Sequence, residues 1–144
     1  LAAKAAVQLG LREVESAIPD LIAAWENENL ERMQPFFAIA LGLLGDDRGQ
    51  ELLQAYLRTP EIRNHAAVAL AGIGQGEAAL FELEFALDDP DPLVRFHAIR
   101  ALALIGPSRI EEHLRRMSED PDENVAAYAT RELLRLQRRG RSPR

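Results

Sequence analysis

DPDPLVRFHAIRALALIG, residues 89–106, is the stretch that decides the fold. Its opening prolines end one helix and suit the first position of the next, while aspartate side chains accept the free N–H groups of a helix start. Beyond the turn, Val94, His97, Ala98, Ala101, Leu102 and Ile105 are spaced i, i+3, i+4, i+7, i+8, i+11, which is one face of an α-helix. Gly106 follows Leu102 by four residues, where a glycine terminator is expected.

Working outward, the same helix ending recurs as AAVQLGL (5–11), FAIALGLLG (37–45), AAVALAGIG (66–74) and ATRELLRLQ (129–137). Anchored on Leu9, Leu41, Leu70, Leu102 and Leu133, the spacings are 32, 29, 32 and 31 residues, the period of a helical repeat array. Gly45 and Gly74 match Gly106, whereas Glu13 and Gln137 break the column in the first and last copies. A second helical pattern precedes each copy: Ile18, Leu21, Ile22, Trp25; then Leu52, Leu53, Tyr56, Leu57; then Leu80, Leu83, Leu87; then Ile110, Leu114, Met117. No β alternation appears. The expectation is an all-α solenoid of antiparallel helix pairs spanning 1–139, with a partial repeat at 1–11 and repeats at 12–46, 47–75, 76–107 and 108–139. A basic, disordered tail is expected at 140–144.

DPDPLVRFHAIRALALIG and DPDENVAAYATRELLRL (120–136) resemble HEAT-like repeats, the variety also found in phycobilin lyase subunits. The resemblance covers nearly the whole chain and implies an interaction scaffold, since such arrays serve many unrelated tasks through their surfaces. It also implies a ladder of turn aspartates and early helix-B arginines along the stack, for which Asp89 with Arg95 fits and Asp120 supplies a second carboxylate. One enzyme with this architecture, deoxyhypusine hydroxylase, holds di-iron with His-Glu dyads in its B helices. The matching positions here are Asn64–His65 and Phe96–His97, with no Glu following, so that activity is not expected.

Composition narrows the function classes. There is no cysteine, which excludes disulfides and thiolate chemistry and permits a reducing, cytoplasmic setting. Met33 to Gly45, the longest uncharged run, is too short to span a bilayer and contains Pro35. The missing initiator Met is what a processed chain or part of a longer array would show. Net charge is −6, but residues 131–144 hold six arginines against Glu132, leaving 22 acids against 11 bases elsewhere. An acidic body disfavours duplex DNA. Nucleic-acid binding through the Arg-rich end stays an alternative, as does an enzyme subunit such as a phycobilin lyase component.

Chemistry-bearing groups are few. His65 and His97 share a repeat column with Phe36 and Tyr128, so the position asks for a flat ring beside the core, and two imidazoles fall short of a zinc site. His113 lies on an apolar flank. Acidic clusters in the turns lack the ligand spacing of a calcium loop and suit helix caps. Neither catalytic residues, nor a metal, nor a cofactor is expected. What remains is surface. Ile39, Leu43, Val68, Phe96 and Leu104 sit off the core face of the B helices, with Arg63, Arg95, Arg100 and Arg131 around them. Apolar anchors rimmed by arginine mark a protein interface, so a protein partner is expected on the B-helix surface. Self-association is expected through the N-terminal edge, where residues 1–11 read as a helix B without its helix A.

Overall fold

The computed structural model describes residues 3–141, and among these there is no strand. After α1 (Ala3–Leu11) come four helix pairs. They are α2 (Ile18–Trp25) with α3 (Gln34–Leu43), α4 (Gln50–Tyr56) with α5 (Arg63–Gly72), α6 (Leu80–Ala86) with α7 (Pro92–Ile105), and α8 (Ile110–Met117) with α9 (Glu123–Gly140). The architecture is the all-α solenoid expected from the repeat. None of the described helices is long and apolar enough to cross a membrane.

Local chemistry sets the helix ends. Asp91 Oδ1 accepts from Leu93 N at 2.9 Å, with Pro92 beginning α7. Asp122 Oδ1 accepts from Asn124 N and Val125 N at 2.9 and 3.0 Å. These satisfy amides that a helix start leaves without intrahelical partners. At the other end Gly45, Gly74 and Gly106 have φ of 88°, 79° and 68°. Glu13 keeps the same left-handed turn at φ 57° although it carries a side chain, and such a position strains any residue with a Cβ. Gln137 makes no turn, because α9 runs on to Gly140. Of the expected tail, residues 142–144 lie outside the described residues.

The second helices of the pairs stack in sequence, α1 on α3, α3 on α5, α5 on α7 and α7 on α9. Small residues permit the close approach: a Cβ on Gly10 would come within 2.9 Å of Ala40 Cα, and one on Gly42 within 3.0 Å of Ala69 Cβ. The stack curls so tightly that α1 also touches α7. Gln8 Nε2 donates to Asp91 Oδ2 at 3.0 Å, the Leu11 carbonyl lies 2.8 Å from His97 Nε2, and Arg100 Nη2 donates to Glu13 Oε1 at 2.7 Å. Thus α1, α3, α5 and α7 close into a ring.

That closure overturns part of the surface expected from sequence. Ile39, Leu43 and Val68 are 0%, 7% and 2% exposed and belong to one core with Val7, Leu11 and Ala101. Their side chains face neighbouring helices of the ring, so burial of apolar area replaces contact with a partner. The flank of α1 that the sequence reading left open is likewise covered, since α7 packs against it and Ala6, Val7 and Leu11 are buried. Residues 1–2, at the start of that flank, lie outside the described residues.

The aspartate ladder exists with a shifted register. Arg95 Nε and Nη2 donate to both oxygens of Asp120, each at 2.9 Å, so the arginine bonds the turn of the next repeat. Asp89 receives Asn64 Nδ2 at 3.1 Å from the preceding repeat and gives Arg95 only its backbone carbonyl, at 2.9 Å. Burial alone would raise the Asp120 carboxyl, but the Arg95 bonds and the Asp122 N–H outweigh it and hold it below the usual carboxylate range.

Candidate partner-binding groove

Ring closure leaves α9 outside, and the angle between α1, α7 and α9 opens a groove of about 620 Å³. The α7 wall brings Leu93 and Phe96, the α9 wall brings Ala127, Tyr128 and Arg131, and the α1 end contributes Gln8 and Arg12. Phe96 and Tyr128 meet edge to ring with centroids 5.4 Å apart. Arg131 lies over Tyr128 at 5.2 Å and Arg100 over Phe96 at 5.5 Å, arrangements that hold the guanidinium planes while leaving N–H edges free to donate. Asp91 and Asp122 also line the groove, but both are occupied as helix caps.

A second hollow of about 630 Å³ opens at the C-terminal ends of α3, α5 and α7. Glu13, Glu15, Leu43, Val68, Arg100 and Leu104 line it. His97 lies beneath. The Leu11 carbonyl accepts only from an N–H, which places the imidazole proton on Nε2 and leaves Nδ1 to accept from Arg100 Nη2 at 3.0 Å. Burial, joined by the Arg100 charge, pushes the His97 pKa below its ordinary value, and the imidazole stays neutral. Glu13 is held low by its hydrogen bond from Arg100.

The nine residues expected to bind a partner therefore separate. Phe96 and Arg131 share the groove, and Arg100 lines the second hollow while lying over the Phe96 ring. Leu104 is 83% exposed on the rim of the second hollow, where Leu43 and Val68 contribute only wall. Arg63 lies elsewhere, over the Phe85 ring at 4.8 Å, and Arg95 is spent on the ladder. Ile39 reaches neither hollow.

Sequence reasoning missed Arg12, Leu93 and Tyr128 as groove residues, and Phe81 with Phe85 as an exposed aromatic pair on α6, centroids 4.9 Å apart. Tyr128 was signalled by its ring column. Arg12 was not signalled, because its place depends on where α1 lands. His113 bonds Glu84 through Nε2 at 3.1 Å. Among the described residues no group of three or more His, Asp or Glu side chains is placed to hold a metal ion.

A family model described as HEAT repeats matches residues 80–143. No curated protein matches the chain. The matched segment covers α6 to α9, and the two pairs before it are built and stacked in the same way, so the array is similar to HEAT repeats beyond the matched segment.

Proposed function

We propose that the chain is a protein-interaction module holding its partner in the groove between α1, α7 and α9. HEAT repeats commonly act as interaction scaffolds, which supports the broad reading. The observation that carries the narrower one is the Phe96–Tyr128 pair, half-buried and flanked by Arg12 and Arg131 in one trench. Aromatic and arginine side chains dominate binding energy at protein interfaces, the rings because they bury much area with few rotors to freeze and the arginines because a planar guanidinium stacks and donates in a fixed fork. A trench with one ring wall and exposed cations at its edge suits an inserted side chain better than a flat protein face.

Site-specific photo-crosslinking tests this. A benzophenone side chain at the exposed Ala127 should give a discrete adduct in cell lysate, while the same group at Glu111 on α8 should not. Arg131→Glu in the Ala127 variant should remove the adduct. Equal labelling from both positions, or none from Ala127, would overturn the reading.

A further inference from the structure

We infer that the partner segment is acidic, with carboxylates gripping Arg12 and Arg131 and an apolar side chain seated between Phe96 and Leu93. This rests on the interaction reading and adds the chemistry of the occupant.

The first support is an imbalance of charge. The chain carries 23 acids and 17 Lys or Arg, and a good part of its cations find a carboxylate within the molecule. Arg48, Arg95, Arg100, Arg109, Arg115 and Arg116 all do, each with an N–O distance of 3.1 Å or less. The groove arginines do not. Among the described residues Arg12 makes only a 3.5 Å contact with Gln8 Oε1. Arg131 comes no nearer a carboxylate than 3.9 Å from Glu132 Oε1, and Glu132 is already held by Arg135 through both oxygens. Weakly engaged guanidinium groups beside an apolar trench, on an otherwise acidic molecule, are complementary to carboxylates supplied from outside.

The second support is that the groove's own carboxylates cannot serve. Asp91 divides its oxygens between Leu93 N and Gln8 Nε2, and Asp122 caps α9 with two amides. Releasing either would leave helix-end amides without partners. A neighbouring hollow on α9 shares Ala127 and Arg131 with the trench and adds Thr130, Leu134, Arg135 and Arg138, so a segment extended from one into the other meets further cations. A polyphosphate would find the same cations, but it would also meet the negative field of the body, 22 acids against 11 bases outside residues 131–144. A short acidic peptide reaches the trench with less of its charge near that body.

Selection from a random-peptide phage library on the purified protein, followed by fluorescence anisotropy of the selected peptides, provides the test. Selected sequences should be net negative around an aromatic or leucine side chain. Their affinity should fall roughly tenfold in Arg131→Glu, and again in Arg12→Glu, with helicity by circular dichroism unchanged, since both side chains are exposed. Rising salt should weaken them. Neutral or basic selected sequences, an empty selection, or affinities indifferent to both reversals would overturn the inference. So would a fluorescein-labelled oligouridylate that binds more tightly than every selected peptide and loses binding in the same variants. If the Ala127 adduct forms but the selected peptides are not acidic, only the chemistry assigned to the partner is wrong. If the adduct is absent as well, the interaction reading falls with it.

Discussion

Glu13 and Arg100, 87 positions apart, meet at 2.7 Å across the junction of the first and seventh helices. The glutamate that makes this bond stands where three other repeats place glycine, and it accepts a left-handed backbone to do so. Replacing it separates strain from attraction. Glu13→Gly relieves roughly 1 kcal/mol of backbone strain and loses a half-exposed ion pair worth about 0.2–1 kcal/mol, so stability should change little. Glu13→Ala keeps the strain and loses the pair. Urea denaturation should therefore rank Gly above Ala by about 1 kcal/mol, and the reverse order would show that the turn is not strained.

His97 should make stability fall on mild acidification. Its folded pKa lies below the ordinary 6.5, so above that value both states are neutral and the contribution is complete. As pH drops below about 6.5 the unfolded chain takes up a proton that the folded ring refuses, and stability declines until the folded pKa is passed. His97→Phe should flatten this decline between pH 7 and pH 5, at a cost of about 1–3 kcal/mol at neutral pH from the two lost hydrogen bonds. A mutant that keeps the parent's slope would place the titration elsewhere.

The Arg95–Asp120 bridge is the most enclosed ion pair of the chain among the described residues, its side chains 14% and 6% exposed. Arg95→Ala strands the Asp120 carboxylate and should destabilise by about 3 kcal/mol. Arg95→Lys should restore only part, since an ammonium cannot reproduce the bidentate geometry. Thermal melts of the three proteins check this, and a lysine variant as stable as the parent would mean that charge alone suffices.

Leu104 and Val68 look equivalent in sequence and differ in place. Leu104→Asp should stay within about 0.5 kcal/mol of the parent, because the side chain already faces solvent. Val68→Asp puts a carboxylate inside the ring and should cost more than about 4 kcal/mol or prevent folding. Guanidinium titrations followed by circular dichroism compare the two, and a folded Val68→Asp protein would contradict the closed ring.

The helices, their pairing and their order were legible because each depends on residues within one repeat: Leu41, Leu70 and Leu102 for the core, Asp91 and Asp122 for the starts, Gly45, Gly74 and Gly106 for the ends. Curvature was not legible. It accumulates from small rotations between repeats, set by approaches such as Gly10 on Ala40 and Gly42 on Ala69, and no periodic pattern encodes their sum. For that reason Ile39, Leu43 and Val68 read as surface although the ring encloses them, and Arg12 was overlooked. Phe96 and Arg131 were found because an aromatic and an arginine off the core face are informative whichever way the stack bends.

A linear array of repeats transmits tension and fraying one unit at a time, since each unit knows only its neighbours. Joining α1 to α7 turns most of this chain into a loop, in which α3, α5 and α7 cannot splay apart without breaking the clasp of Gln8, Leu11 and Glu13. Only the α8–α9 hairpin hangs from the loop by one side. Hydrogen exchange should accordingly fall into two classes, a slow and uniform set through α7 and a faster set beyond it. The groove lies on the seam between the two, so an occupant bridging Arg12 and Arg131 would act as a splint, slowing exchange in α9 without touching most of its amides.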